Sequence, residues 1–190
     1  MQPEQPSGIS AVIVASDDID RAVLDLTAVL DGLAPGRFEI IVLGSTPAGV
    51  SELLGRAPRL PVRSASNIAE PRYDLVFVAA RDGRFDVREL NHLMEASEDG
   101  ADVAAGYRPR CTDAIVRRLQ RWGCHVDLDC AFALLRRPVW QQLTEDGRRR
   151  LAIAELPSTA RREGFRVAEV AVSQRRPTMG VTISASTRAA

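Results

Sequence analysis

The sequence predicts a three-layer α/β/α sandwich built on a mostly parallel sheet, and three observations carry that expectation. Short apolar runs rich in β-branched residues alternate with segments whose apolar residues recur at helical spacing. Glycine, proline and hydroxyl residues punctuate each change of period. The 190 residues, 45% of them hydrophobic, suffice for one sizeable core rather than two. Residues 9–174 are therefore read as a single domain between a polar leader, 1–8, and a small, polar tail, 175–190.

The first run, "ISAVIVAS" from Ile9 to Ser16, is continuously apolar, as expected of a strand covered on both faces. It ends at Asp17-Asp18, a helix cap for a segment with Val23, Leu26, Leu30 and Leu33 at helical spacing. "APG" (Ala34 to Gly36) stops that helix and "RFEIIVLG" forms the second strand. "STPAGVSELLG" reads as a short helix with Ser45 or Thr46 as cap, Pro47 in its first turn and Gly55 at its end. "RLPVRSAS" is a weaker third strand, and "YDLVFVAA" a buried fourth. Val87, Leu90, Leu93 and Met94 form the inner stripe of the next helix, where His92 is a surface or half-buried packing residue.

"ADVAAGY" (Ala101 to Tyr107) is the fifth strand. An arginine-rich helix around Ile115 to Trp122, an extended piece "HVDLDCAFALLRR", and helices around Val139 to Leu143 and near Ser158 to Glu163 follow. "FRVAEVAV" closes the sheet, with Glu169 read as structural. Right-handed crossovers between such elements give a parallel sheet covered on both faces. Ligands of such sheets bind at the carboxyl ends of the strands, which puts Ser16 to Asp18, Gly44 to Thr46 and Ala80 to Asp82 on one rim.

Bulk charge excludes some partners. Twenty-five basic residues balance 25 acidic ones, so no global field draws the chain to nucleic acid or an anionic membrane. No apolar run reaches the ~20 residues needed to span a bilayer, and "MQPEQPSG" lacks the regions of a signal peptide, so the expected home is the cytoplasm. Three cysteines, an odd number within one third of the chain, argue against a disulfide framework. Arginine dominates the cations, which points to a GC-rich bacterial genome and carries no functional meaning.

"CHVDLDC" invites zinc, but in an extended strand Cys124, Val126, Leu128 and Cys130 share one face while His125, Asp127 and Asp129 share the other. That alternation separates thiols from imidazole, so a single tetrahedral site is disfavoured and Cys130 reads as a small buried residue.

Seven pieces, in order, resemble a family 2 glycosyltransferase of the GT-A fold, in particular its dolichol-phosphate-mannose-synthase-like branch. They are "ISAVIVAS", "GRFEIIVLGST", "YDLVFV", "DGRFD", "EDGADVAAGYRPR", "DLDCAFALLRRPVW" and "REGFRVAEVAV". The resemblance implies a nucleotide or nucleotide sugar held by Ser16, Asp17, Gly44, Ser45, Thr46, Arg81, Asp82 and Arg84. It also implies an acceptor side at Tyr107, Arg108 and Arg110, with Arg117 and Arg118 beyond. A polyprenyl phosphate is one acceptor such arginines would receive, and a solvated helix face is the plainer reading.

The chain departs from that pattern at the donor side. The family's "DDGS" turn is Leu43-Gly44-Ser45-Thr46 here, keeping the glycine and hydroxyls without the acids. In the family's Asp-x-Asp, Ala80 stands for the first aspartate and Asp82 for the second, and Arg84 stands where an amide is usual. A divalent cation wants several hard oxygen ligands, and one carboxylate between Arg81 and Arg84 is a poor set, so no cofactor is expected and magnesium or manganese only if the family site persists. "ASNIAEPR" replaces the usual glycine-rich turn and helix before the fourth strand, and the aromatic residue of "PAYNEE" is absent from the first loop.

Two functions follow. One is a glycosyltransferase-like domain that has lost metal-dependent sugar transfer and binds a ligand, a protein partner or a second copy of itself. The other is an active, metal-independent transferase with Arg81 and Arg84 on the diphosphate and Asp127 or Asp129 as base. Each residue also has an ordinary reading: Asp82 as a turn former, the arginines as partners of Asp82 and Asp86, and "GSTP" as a helix start.

Overall fold

The computed structural model describes residues 8–14, 19–44, 52, 54–56, 59–65, 70–79, 86–107, 130–144 and 155–172. Each of the seven apolar runs contributes a strand: β1 (Ile9–Val14), β2 (Phe38–Leu43), β3 (Val62–Ala65), β4 (Leu75–Ala79), β5 (Val103–Tyr107), β6 (Cys130–Arg136) and β7 (Val167–Ala171). They form one sheet in the order β3-β2-β1-β4-β6-β5-β7. β6 alone runs antiparallel to its neighbours β4 and β5, and the other pairs are parallel.

Helices described in full between the strands are α1 (Ile19–Leu33), α2 (Leu90–Glu98), α3 (Arg137–Thr144) and α4 (Leu156–Arg162). Leu26 and Leu30 of α1 and Leu90 and Leu93 of α2 pack with Ile9, Ile40, Phe77 and Leu134 on one face of the sheet. Val139, Trp140 and Leu143 of α3 and Leu156 and Ala160 of α4 pack with Val12, Ile41, Val76 and Leu135 on the other. The result is the expected three-layer sandwich. β1, β2 and β4 are apolar because alternate side chains meet helices on one side and the second core on the other.

Local signals act where the chain needs them. α1 ends with Ala34 N–H donating to the Leu30 carbonyl at 2.8 Å, and Gly36 adopts φ 66°, a left-handed conformation that glycine reaches at little cost. Val87, assigned by periodicity to the helix after β4, instead lies in a 3-10 turn (Val87–Glu89) whose Asp86 side chain accepts from Arg88 N–H at 3.1 Å. That Asp86 cap redirects the chain before α2 starts at Leu90. α3 begins two residues before the apolar stripe that announced it, at Arg137-Pro138, since proline suits a first helical turn. α4 likewise begins at Leu156-Pro157. The expected helix around 115–122 lies outside the described residues, and of the expected helix over 45–55 only residues 52 and 54–56 are described, as helical.

Gly8, counted with the polar leader, is buried at the amino edge of the sheet. Its carbonyl accepts from Leu75 N–H at 3.2 Å, and Ile9 N–H donates to the Arg37 carbonyl at 3.0 Å. The Tyr73 ring lies directly over it, so a Cβ there would fall 2.2 Å from Tyr73 Cδ1 and 2.8 Å from the Arg37 carbonyl oxygen. Gly32, by contrast, sits in α1 with nothing within 4 Å of a Cβ. Gly8→Ala is expected to cost about 1–3 kcal/mol, the range for overpacking, and Gly32→Ala to add roughly 0.4–1 kcal/mol by stiffening the unfolded chain. Urea denaturation of the two variants checks both signs.

Candidate functional site at the carboxyl rim of the sheet

Because β6 is reversed, the carboxyl ends of six strands and the amino end of β6 meet on one rim. Its described residues are Val14, Gly44, Ala65, Ala79, Tyr107, Cys130 and Val172. Gly44 N–H donates to the Ala65 carbonyl at 3.2 Å, and Val172 N–H to the Tyr107 carbonyl at 3.0 Å, so neighbouring strand ends are tied together. Gly44 takes φ 76° with open space around it, so the requirement for glycine there is conformational, not steric.

Between β5 and β6 the register shifts at Gly106/Tyr107, where Phe132 faces Gly106 and Cys130 faces Tyr107. The Phe132 ring lies close enough to Gly106 that a Cβ would meet its Cε2 at 3.1 Å. Phe132 also packs on Phe77 with ring centroids 5.7 Å apart, below the end of β4. A bulge of this kind changes where the strand's side chains point as it enters the rim.

Of the residues singled out in the sequence, Gly44 stands at this rim as expected, and Tyr107 ends β5 with a buried side chain. Ser16, Asp17, Ser45, Thr46, Arg81, Asp82, Arg84, Arg108, Arg110, Asp127 and Asp129 lie outside the described residues. In sequence they follow the ends of β1, β2, β4 and β5, or precede β6, which starts directly after Asp129. The cysteine and histidine residues of "CHVDLDC" before Cys130 also lie outside. Among the described residues, no three His, Cys, Asp or Glu side chains gather as a metal cage. No described helix is long and apolar enough to cross a membrane. His92 is exposed between Glu89 and Glu95 at 3.6 and 3.5 Å, and Glu169 pairs with Arg161.

No family model matches the chain, and no curated protein matches its sequence. Solved structures match its fold over nearly the whole length. A mannosyltransferase from Pyrobaculum calidifontis, in complex with GDP-Man and Mn2+, superposes with TM-score 0.64 at 13% identity; the match covers 94% of this chain and 59% of that one. A 4-diphosphocytidyl-2C-methyl-D-erythritol synthase from Anaerococcus prevotii gives TM-score 0.55 at 11% identity, over 88% and 90% of the two chains. Glucosyl-3-phosphoglycerate synthase of Mycobacterium tuberculosis gives 0.55 at 16%, over 90% and 72%, and is also known in complex with Mn2+ and UDP. The fold is that of the nucleotide-diphospho-sugar transferases, GT-A in type. Identities this low establish architecture alone.

A second polar constellation, at the amino edge and far from the rim, has no counterpart in the sequence reading. Glu39 is the second residue of β2, and its carboxylate is buried. Its Oε1 accepts from Ser10 Oγ–H of β1 and from Arg72 N–H, both at 2.8 Å, and its Oε2 accepts from Arg63 Nε–H of β3 at 2.8 Å. Ser10 Oγ in turn accepts from Tyr73 N–H at 3.1 Å. The sequence signal was a charged residue inside an otherwise apolar run, "RFEIIVLG".

Burial pushes the Glu39 carboxyl up, but the hydrogen bonds from Arg63, Arg72 and Ser10, with the Arg63 charge, outweigh it and hold the group below its ordinary value. The folded state therefore binds fewer protons than the unfolded one in that interval. The stability Glu39 contributes is complete above the ordinary glutamate value and is lost as pH falls through the depressed one. Glu39→Gln is expected to cost about 1.5–3 kcal/mol near neutral pH, the range for hydrogen bonds to a charged group, and to flatten the loss of stability at acid pH. Urea midpoints of the two proteins across the acid range check both expectations.

Proposed function

We propose that the chain is a family 2 glycosyltransferase-like domain that binds a nucleotide-type ligand or a partner at the carboxyl rim and does not carry out metal-dependent sugar transfer. One observation carries this reading. The segment after β4, at the position that bears paired carboxylates in the family it resembles, reads Ala80-Arg81-Asp82-Gly83-Arg84. A divalent ion bridging a diphosphate needs several hard oxygen donors. Asp82 alone between two guanidinium groups does not supply them, so this donor set does not fit the ion that accompanies the Pyrobaculum and Mycobacterium structures.

The residues that remain suit an anion without a metal. Arg81 and Arg84 carry permanent charge in a planar fork that matches diphosphate oxygens. Ser45 and Thr46, next in sequence after Gly44, bring two hydroxyls that can donate to phosphate oxygens. The match to the Pyrobaculum protein covers 59% of that protein's length.

The start of β6 at the rim supports a second reading, because Asp127 and Asp129 directly precede it. A carboxylate there, near a bound nucleotide sugar, would act as general base for an acceptor hydroxyl in an inverting transfer. The hydroxyl proton passes to the carboxylate, the oxygen bonds the anomeric carbon, and the nucleoside diphosphate leaves with the former C–O pair. Arg81 and Arg84 would stabilise the departing charge.

Thermal shift and calorimetry with UDP, GDP and their sugar conjugates, with and without manganese, test the first reading. Stabilisation that is indifferent to manganese and lost in Arg81→Ala is expected, with no release of nucleoside diphosphate. Manganese-dependent turnover would sink it. Metal-independent turnover that falls at least 100-fold in Asp129→Asn or Asp127→Asn, with nucleotide affinity unchanged, would establish the second reading in its place.

A further inference from the structure

The connection from β3 to β4 occupies residues 66–74. A parallel crossover generally takes about a dozen residues or more and contains a helix that buries its own apolar stripe. Here the described part, residues 70–74, has no helix and no strand, so its backbone groups must find partners elsewhere.

They find them on side chains. Arg72 N–H donates to Glu39 and Tyr73 N–H to Ser10 Oγ. The Glu70 carbonyl accepts from Arg63 Nη2–H at 2.6 Å, and the Arg72 carbonyl from Arg137 Nη1–H at 3.1 Å. Among the described residues, main-chain pairing to the segment appears at Asp74, whose carbonyl accepts from the Arg137 backbone N–H at 2.7 Å. Pro71 is buried and the Tyr73 ring rests on Gly8, but the amides of Arg72 and Tyr73 depend on two side chains from β1 and β2.

We propose that Ser10, Glu39 and Arg63 form a lock on this crossover, and that residues 70–73 open as a local unit while the sheet stays paired. Opening them breaks no rung of the strand ladder: β1 keeps its pairing to β2 and β4, and β2 its pairing to β3. Local opening of a segment without ladder bonds costs less than global unfolding. Glu39 is the keystone because its two oxygens hold the strand side, Ser10 and Arg63, and the crossover side, Arg72 N–H, at once.

Native-state amide exchange read by NMR at rising, sub-denaturing urea tests this on the unaltered protein. The Arg72 and Tyr73 amides are expected to exchange by a path nearly insensitive to urea, while amides of Val12, Ile41 and Val78 follow the urea dependence of global unfolding. Glu39→Gln places amide hydrogens against donors and is expected to speed exchange at Arg72 and Tyr73 at least tenfold more than at Val12, Ile41 and Val78. If the two crossover amides follow the global urea dependence in the unaltered protein, there is no local unit and the proposal fails. An equal acceleration at all five positions in Glu39→Gln, or in Ser10→Ala if the first variant does not fold, also overturns it by making the cluster a global strut only.

Discussion

A carboxylate buried at the foot of a parallel sheet destabilises the fold unless it is given hydrogen bonds, and Glu39 places that requirement where four pieces of chain converge. Ser10 brings β1, Arg63 brings β3, and the Arg72 backbone brings the return to β4, so the side chain of β2 addresses each of its neighbours on that edge. Burying an ion without partners costs several kcal/mol, whereas a carboxylate with three short donors is held in one geometry. The network therefore contributes more to uniqueness than to gross stability: an apolar residue at position 39 would tolerate many arrangements of the crossover, and a carboxylate tolerates few.

The consequence reaches the rim through the strands. Fixing the foot of β4 against β1 sets Leu75 opposite Ile9, and the register then carries without a break to Ala79 opposite Ile13. On its other side β4 meets the reversed β6, which brings the start of one strand among the ends of the others. A sheet with a single reversed strand offers its rim both the segments that leave the sheet and one that enters it. In sequence, "DGRFD" follows the end of β4 and "DLDC" leads into the start of β6, and these two strand termini share the rim.

The strands were legible because burial on both faces leaves little choice of residue: "IIVL" and "LVFV" cannot be helix surfaces or loops. The direction of β6 was not, since apolar alternation carries no arrow and only pairing partners decide it. Helix starts drifted by a turn or less for identifiable reasons. Pro138 and Pro157 begin their helices ahead of the apolar stripe, and Asp86 caps a 3-10 turn where periodicity alone continued the helix. Ser10 and Glu39 were invisible as a pair because their partnership is a register property, Ser10 opposite Glu39, between residues 29 apart in the chain. Gly44 was legible from its place after the second strand and from the glycine it shares with the family's turn, and its positive φ gives a conformational reason for a glycine there. The charged residues after β1 and β4 were legible from their place at strand ends, and their meaning from a departure from a family pattern, which speaks to what is missing more than to what replaces it.

The two ends of the sheet solve the same electrostatic problem with opposite signs. At the foot, a buried carboxylate recruits arginines and backbone N–H groups, and the result is a closed set in which the described donors and acceptors are matched. In the segment that follows β4, the arginines of "ARDGR" outnumber the one carboxylate between them. A guanidinium pair attracts an anion that presents paired oxygens, such as a diphosphate or a carboxylate-bearing partner, and repels a metal ion. The proposed loss of metal chemistry and the proposed retention of anion binding thus share one cause: Ala80 and Arg84, where the family pattern has a carboxylate and an amide, leave Asp82 alone as an ion ligand and add a positive charge of the kind the ion would have supplied.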